Sequence, residues 1–501
     1  MRAIFFGIFL SITFLACKKT DIIEEEIIVN EDPSTYVEIA SLNLGGAGAA
    51  EITTYDPTTR RLFAVNNGTT NKIDVISVAD PTNISVIYSI SLTPYGGFVN
   101  SVDVNNGKLA AAIESTNKQD PGKVVIFNTN TYQEEKVITV GALPDHIVYS
   151  PDGKYILTAN EGEPNSTYAL DPEGSVSIIS VADYSVNTIN FSSFVSQQAA
   201  LTTKGMRTSG LNKNFLKDIE PEYITISPDS KFAWVTLQES NAIATIDLTT
   251  KSFTNIFPLG FKDYNQSSNA IDVSDKDNAI NFAPWKVFGV YMPDAIANLS
   301  YNGKTYLFTA NEGDSREYTA FSDVKRLATL NLDATAFPSV STLKTDAQLG
   351  RLNVLTTEGD TDNDGDYDAI YSMGGRSFSV WDASNGSLVY DSKNELDVKA
   401  KELSLYDDTR SDDKSVEPEA VTIGKVGTKY IAFVGLERAD AFAIYDVTNP
   451  TSPLFIKMIK TGDAPEGVLF ISAAKSPINQ SLLVVSSEND GLVKIYKATK
   501  L

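Results

Sequence analysis

Histidine and cysteine are almost missing from this chain of 501 residues, which has one of each, His146 and Cys17. A lone cysteine allows no disulfide within the chain, and Cys17 lies too near the N-terminus to be a nucleophile in the folded body. A lone histidine argues against the histidine-rich sites of zinc and non-haem iron proteins. His146 follows Asp145, and we expect it to be structural, although a role as a ligand or base is open.

Positive charge is also scarce. The chain has 41 Lys and Arg residues but 64 Asp and Glu residues, which gives a net charge of −23. Such a chain repels nucleic acid and anionic membranes, so neither is an expected partner. Strong acidity suits a protein that collects divalent cations, although a solvated acidic surface explains most of it equally well.

The one long apolar run, residues 3–16, follows Arg2 and is too short to span a bilayer. The sequence Phe14-Leu15-Ala16-Cys17 resembles a bacterial lipobox. We therefore predict a signal peptide (1–16), a lipidated Cys17 that begins an acidic tether (17–35), and a folded body (36–501). The protein would be an outer-membrane lipoprotein of the cell envelope, facing the periplasm or the outside and touching the membrane through its lipid alone. The alternative is an ordinary signal peptide with an incidental cysteine.

The body repeats one pattern, in which an acid leads a short strand, a turn follows, and a second strand ends in another acid. Leu143-Pro144-Asp145 begins one copy, Ser150-Pro151-Asp152-Gly153 is its turn, and Asn160-Glu161-Gly162 ends it. Further copies begin at Pro221, Pro293, Pro418 and Pro465, and two weaker copies begin at Glu51 and Ser101. Each unit continues into a third and a fourth strand.

Seven such units of antiparallel hairpins predict an all-β fold, a seven-bladed β-propeller with long loop insertions at about 186–218 and 320–415. The segment 36–44 is expected to pair with the last unit and complete the ring. An array of β-sandwiches is the alternative, but the repeats are too short and uniform for separate domains.

The repeat places two acids of each unit at the same end of its hairpin, opposite the turn. Those before the first strands should ring the channel at one mouth: Asp145, Glu222, Asp294, Glu419 and Glu466. Those after the second strands should form a circle beside them: Glu161, Glu239, Glu312, Glu437 and Glu488. Clustered carboxylates without histidine favour Ca²⁺ or another divalent metal. Alternatively, the acids cap strand ends.

A second cation signal is local. Asp360, Asp362, Asp364, Asp366 and Asp368 stand at every second position, with Gly365 among them. This spacing matches the opening of a calcium-binding loop, but Tyr371 stands where an EF-hand has its closing Glu. We expect Ca²⁺ here in a structural role, with a solvated acidic turn as the alternative.

Three arginines follow these acids, namely Arg316, Arg376 and Arg438. Arginine beside carboxylates and a metal can clamp a phosphate or carboxylate ligand. Plain ion pairing with the neighbouring acids is the more common explanation.

Several short sequence motifs resemble those of the choice-of-anchor I family: residues 160–164, residues 311–318 and the stretch from Asp362 to Trp381. The similarity covers about 37–500. It implies a propeller on a bacterial surface or in secreted form, whose relatives differ in how they attach to the cell. Some relatives carry names that suggest alkaline phosphatase, and the repeats are also similar to YncE-type propellers, which are mostly binding modules. More distantly, calcium-dependent phytases of propeller fold hold metals at the channel mouth.

Two functions follow from these patterns, and fold does not decide between them. The first is a surface module that binds a small molecule, a glycan or a protein. The second is a metal-dependent phosphoesterase, in which the metal polarises the phosphoryl oxygen, activates water, and is assisted by Arg316, Arg376 or Arg438. Whether the protein is an enzyme is open at this point.

Overall fold

The computed structural model describes residues 29–501, and the predicted signal peptide and Cys17 lie outside this part, as does most of the tether. Within the described residues, none of the helices has the length and apolar character needed to span a membrane.

Short runs of β-branched and aromatic residues, separated by Gly, Asn and Asp turns, form the strands. Strand β1 spans Glu31–Asn43. Sheet 1 contains β2 (Thr53–Asp56), β3 (Arg61–Asn66), β4 (Lys72–Ser77) and β5 (Ser85–Ser91). Sheet 2 contains β6 (Val99–Asn105), β7 (Lys108–Ile113), β8 (Pro121–Asn128) and β9 (Glu134–Ala142). Sheet 3 contains β10 (Pro144–Tyr149), β11 (Tyr155–Asn160), β12 (Ser175–Ser180) and β13 (Val186–Ile189). Sheet 4 contains β14 (Pro221–Ile226), β15 (Phe232–Leu237), β16 (Ala242–Asp247) and β17 (Ser252–Pro258).

The second half contains three more four-stranded sheets and several short strands in the insertions. The short strands β18 (Phe261–Asp263) and β19 (Phe288–Val290) come first. Sheet 5 begins with β20 (Ile296–Tyr301) and β21 (Lys304–Asn311). An insertion then adds β22 (Glu317–Tyr318), β23 (Phe321–Ser322), β24 (Val324–Arg326), β25 (Asn353–Leu355) and β26 (Tyr371–Met373). Sheet 5 ends with β27 (Ser377–Asp382) and β28 (Leu388–Asp391). Sheet 6 contains β29 (Pro418–Val426), β30 (Lys429–Leu436), β31 (Ala441–Asp446) and β32 (Leu454–Lys460). Sheet 7 contains β33 (Pro465–Ile471), β34 (Leu482–Ser487) and β35 (Leu492–Lys500).

Helices occur only between strands in the described part of the chain. The α-helices are α1 (Gln198–Thr203), α2 (Val340–Leu343) and α3 (Glu395–Glu402). The 3-10 turns span Ser192–Gln197, Ser267–Asn269, Leu327–Thr329, Leu349–Arg351, Asp408–Arg410 and Glu437–Ala439.

The sheets follow one another around a central axis. The first strands contact each other in cyclic order, β2 with β6, β6 with β10, and so on through β14, β20, β29 and β33 back to β2. The predicted all-β propeller fold is confirmed. Strand β1 completes sheet 7 by pairing antiparallel with β35, as predicted, from Glu31 opposite Lys500 to Asn43 opposite Leu492.

The hydrophobic core fills the spaces between neighbouring sheets. Between sheets 6 and 7, for example, Phe433, Phe442 and Leu483 are fully buried, and Phe442 meets Tyr496 edge to face at 4.9 Å. Such close packing of one sheet on the next fixes the position of each first strand around the axis.

The predicted insertion bounds need correction. The first insertion begins after β13 rather than at 186, and the predicted 320–415 insertion is two segments, because β27 and β28 belong to sheet 5. A further excursion, between β17 and β20, carries β18 and β19, which join β26 in a small sheet. The third and fourth strands of a unit have no flanking acid motif, so the sequence offered no marker for these boundaries.

Candidate functional site

In sheet 3, the proline and the acid at the start of the unit lie at an irregularity in the pairing of the first two strands. Pro144 pairs with Asn160, and the register then shifts before Ile147 pairs with Thr158, so that Asp145 lies in the irregular step. Leu143, before the proline, has φ 48°, a conformation that side chains and a following proline both disfavour. The N–H of Glu161 donates to the Leu143 carbonyl at 2.9 Å, which holds the two acids of the unit side by side.

The same arrangement recurs in other units. Met292, Glu417 and Ala464, which also precede prolines, have φ values of 45°, 49° and 56°. The N–H groups of Glu437 and Glu488 donate to the carbonyls of Glu417 and Ala464, each at 2.9 Å. The repeat therefore brings its acids to one end of the ring.

Three of the five acids of the first strands face a common space. Asp145, Asp294 and Glu466 line a central cavity of about 350 Å³, to which all seven first strands contribute. Burial raises the pKa of Glu222, Asp294, Glu419 and Glu466 well above the usual range, and repulsion from neighbouring carboxylates, first among them Glu161, Glu312 and Glu51, adds to the effect. Burial also raises the pKa of Asp145 to about 6. These side chains retain protons at pH values where an exposed carboxylate has none.

The acids that follow the second strands lie beside them. Burial raises the pKa of Glu161, with repulsion from Glu163 and Asp145 as further causes. It also raises the pKa of Glu437 to about 8, assisted by the charge of Glu312. Glu51 of the first unit behaves alike, with its pKa raised to about 8 by burial and by the charge of Glu488.

Three carboxylates from neighbouring units converge closely enough to share one ion. One oxygen from each of Asp294, Glu312 and Glu419 lies within 4.8 Å of those of the other two. Oε2 of Glu419 is buried and has no hydrogen-bond partner among residues 29–501. Glu312 has two partners, Lys414 Nζ at 2.5 Å and Gln238 Nε2 at 3.0 Å. We call Asp294, Glu312 and Glu419 the mouth triad.

A second group beside it, Glu312, Glu417 and Glu437, is already compensated by cations. Lys414 Nζ lies 3.1 Å from Glu417 Oε2, and Arg410 reaches Glu417 Oε1 at 2.5 Å. These charges hold the pKa of Glu417 below its usual value despite its burial. A divalent ion is therefore better accommodated in the mouth triad, where Glu419 lacks such a partner.

The three arginines singled out from the sequence have different surroundings. Arg316 forms a buried pair with Glu220 at 2.6 Å. Arg376 is fully buried and donates to the backbone carbonyls of residues 272, 411 and 413. Arg438 pairs with Glu437 at 2.8 Å and stays 36% exposed. Of the three, Arg438 alone is open to a ligand at the mouth.

The predicted calcium loop forms a tight turn in which Gly365 has φ 98°. One oxygen from each of Asp360, Asp362 and Asp364 lies within 4.8 Å of the others, and the negative charge of Asp364 raises the pKa of Asp362. Asp368 accepts instead from the N–H and hydroxyl of Thr361. Asp366, although acidic, is not part of the converging group.

His146 is buried between sheets 3 and 4. Its ring stacks on Tyr223 at 3.6 Å, and its Nδ1 accepts from the Ile224 N–H at 3.3 Å. Burial lowers its pKa to about 3, so the ring is neutral at physiological pH. This is the structural role expected from the sequence.

Several residues at the mouth were not predicted from the sequence. Arg410 and Lys414 lie in the segment before β29, where no repeat fixes their position, and nothing in the sequence indicated them. Glu417 and Glu220 carried a signal, because each stands two positions before a ring acid in a Glu-Pro-Glu sequence.

These features define a β-propeller with a carboxylate-lined mouth. Residues 51–450 match the model of the Choice-of-anchor I domain, and the chain belongs to this family. Membership suggests a secreted or cell-surface protein. Gigasin-3a of Magallana gigas is 30% identical over 191 residues, which are 31% of this chain and 67% of that protein.

Two solved structures are similar to the chain. Kuenenia stuttgartiensis Hydrazine Synthase covers 91% of this chain and 97% of its own at a TM-score of 0.50 and 11% identity, and this likeness concerns the fold alone. The β-propeller domain of Myceliophteria thermophila Cps50 (Swd1) covers 92% of this chain and 100% of its own at a TM-score of 0.47 and 8% identity.

Proposed function

We propose that this protein is a surface module that binds its ligand through a divalent cation, of which Ca²⁺ is the best candidate, held by the mouth triad. The observation that supports it most is the convergence of three carboxylates, one with a buried oxygen that lacks a partner. Hard oxygen ligands without histidine suit Ca²⁺ or Mg²⁺. A cation with open coordination positions at a channel mouth would accept oxygen atoms of a small molecule, a glycan or a protein.

The test is metal content of the purified full chain by elemental analysis after dialysis against Ca²⁺. We expect one ion at the mouth and one in the aspartate loop. Glu419→Gln should remove the first and Asp362→Asn the second, because each loses a ligand charge. Glu466→Gln is the matched control, since Glu466 belongs to the same buried ring but not to the mouth triad. Full metal content in Glu419→Gln would refute the mouth site.

A phosphoesterase is the second candidate, favoured by the cations that surround Glu417 beside the mouth triad, namely Arg410, Lys414 and Arg438. Asp294, Glu312 and Glu419 would hold a metal that, when bound, would supply Lewis-acid polarisation of the phosphoryl oxygen and activation of water. The same samples are assayed for hydrolysis of p-nitrophenyl phosphate. Turnover that is abolished by chelator and by Glu419→Gln would establish the enzyme, whereas metal binding without turnover would leave the binding module.

Attachment by a lipid on Cys17 belongs to the same proposal, supported by the lipobox-like sequence and by a family of surface and secreted proteins. Expressed in a bacterial host fed a radiolabelled fatty acid, the full chain should carry label and sediment with membranes. Cys17→Ser should lose both. Label that persists in Cys17→Ser would show that the lipid is attached at another position of the chain.

A further inference from the structure

A second cavity lies between sheets 4 and 5, on the face opposite the mouth. It measures about 770 Å³. Its lining includes Pro228 and Asp229, from the turn between β14 and β15, and Gly303 and Lys304, from the turn between β20 and β21. Because the acids of each unit lie at the other end of its hairpin, this cavity is separate from the mouth triad.

The walls combine aromatic rings with polar groups. Phe232, Trp234 and Phe257 line the cavity together with Thr245 and Asn255. Phe232 is 41% exposed, and its ring centroid lies 6.4 Å from that of Trp234 with the planes inclined at 33°. Exposed aromatic surface next to a concave pocket is typical of ligand sites rather than of random surface.

Two polar atoms of this wall have no partner within the described chain. The indole Nε1 of Trp234 and the hydroxyl of Thr245 are both buried and make no hydrogen bond. The two residues are directly opposite each other on β15 and β16, so their side chains lie on the same face of sheet 4. A buried donor left without an acceptor is costly, and native proteins rarely leave one unless a ligand or water completes it.

The neighbouring sheet provides an internal comparison. Trp381, in β27, is also buried, and its indole donates to Thr309 Oγ1 at 2.9 Å. The same pair of residue types is therefore joined in sheet 5 and left unsatisfied in sheet 4, on the side where the cavity lies.

Charge in the cavity is internally balanced. Lys304 pairs with Asp382 at 3.4 Å, and Asp229 pairs with Lys231 at 3.1 Å. Each charged residue of the lining, Asp229, Lys304 and Asp382, thus has an opposite charge beside it, which favours a neutral ligand over an ionic one.

We infer that this cavity is a binding site for a neutral carbohydrate. A pyranose offers an apolar C–H face that stacks on Phe232. Small rotations of the Trp234 and Thr245 side chains would bring their buried polar atoms to the cavity surface, where sugar hydroxyl groups accept from the indole and exchange hydrogen bonds with the threonine. A peptide segment would also stack on the ring, but the adjacent donor and hydroxyl group favour a ligand rich in hydroxyls.

The test is titration of the full chain with cellobiose, maltose, lactose and N,N′-diacetylchitobiose, followed by the indole N–H signals of its three tryptophans in NMR spectra. Assignment uses Trp234→Phe. We expect at least one of these sugars to shift the Trp234 signal and leave that of Trp381 in place. Phe232→Ala should weaken binding about tenfold or more, and Thr245→Val, which keeps the side-chain shape, should weaken it as well.

Phe98→Ala, which removes an exposed ring outside this cavity, is the matched control and should bind normally. Binding should also persist in chelator and in Glu419→Gln, so failure here is distinct from failure of the cation site. The inference is overturned if none of the four sugars moves the Trp234 signal, or if binding is retained in both Phe232→Ala and Thr245→Val.

Discussion

In the presence of a chelator, the free energy of unfolding is expected to fall as the pH rises from about 5 to about 8. Burial raises the pKa of Glu51, Asp314 and Glu437 to about 8 in the folded protein. An unfolded chain releases these protons near pH 4, so between the two values the folded state holds more protons. The stabilisation is complete below about pH 4 and is lost as the pH rises through the folded pKa values.

Calcium should oppose this loss, because burial also raises the pKa of Asp294 and Glu419 in the mouth triad, and a bound cation would replace the protons that these two carboxylates release. At pH 8 and a concentration about 100-fold above the dissociation constant, Ca²⁺ should add about 2.7 kcal/mol per site, and at pH 5 much less. Calorimetric melting at both pH values, with and without Ca²⁺, measures the effect. His146, whose pKa is lowered to about 3, contributes in the opposite sense but is a single group. Equal stabilisation by Ca²⁺ at pH 5 and pH 8 would argue against proton competition at the mouth.

Replacement of Arg316 by methionine should destabilise the protein by about 3–5 kcal/mol, the range seen when one partner of a buried ion pair is removed. Arg316 and Glu220 are 2% and 1% exposed, and the guanidinium also donates to the Asp218 carbonyl at 3.0 Å. Without it, a buried carboxylate and a carbonyl lose their donors. The measurement is urea unfolding of the wild type and the variant.

The double variant Arg316→Met/Glu220→Gln should recover part of the loss, because it removes the uncompensated charge as well. Arg326→Met is a suitable control, since Arg326 pairs with Asp412 at 2.6 Å but is 35% exposed and should cost far less. If Arg316→Met unfolds like the wild type yet loses affinity for inorganic phosphate, the arginine serves as an anion site rather than as structural support.

The propeller and the direction of its acids could be predicted because each unit carries its own markers. In sheet 3, Pro144 and Asp145 mark the start of the first strand, and Glu161 marks the end of the second. Hairpin geometry alone therefore places both acids at the same end of the hairpin. The convergence of Asp294 with Glu419 depends on which units are neighbours, and chain order supplied that as well.

The cations around Glu417 could not be predicted in the same way. Arg410 and Lys414 lie in a segment without period, and their position depends on how α3 and the turn before β29 pack against sheets 5 and 6. The role of Arg376 could not be predicted either. Its position beside the aspartate loop suggested that it binds an anionic ligand, but it donates to backbone carbonyls that are 35 or more residues away in the chain. The unsatisfied indole of Trp234 has no signature in the sequence.

The pairing of β1 with β35 has a consequence for how the molecule is made. The two strands that complete sheet 7 are separated by nearly the whole length of the body, from Glu31 to Lys500. Strand β1 can therefore pair only after β35 has been synthesised, and until the two strands pair, sheet 7 lacks its outer strand. Contacts of such long sequence separation form slowly, and an open sheet edge invites pairing with other chains. We expect ring closure to limit the folding rate and partly folded chains to aggregate.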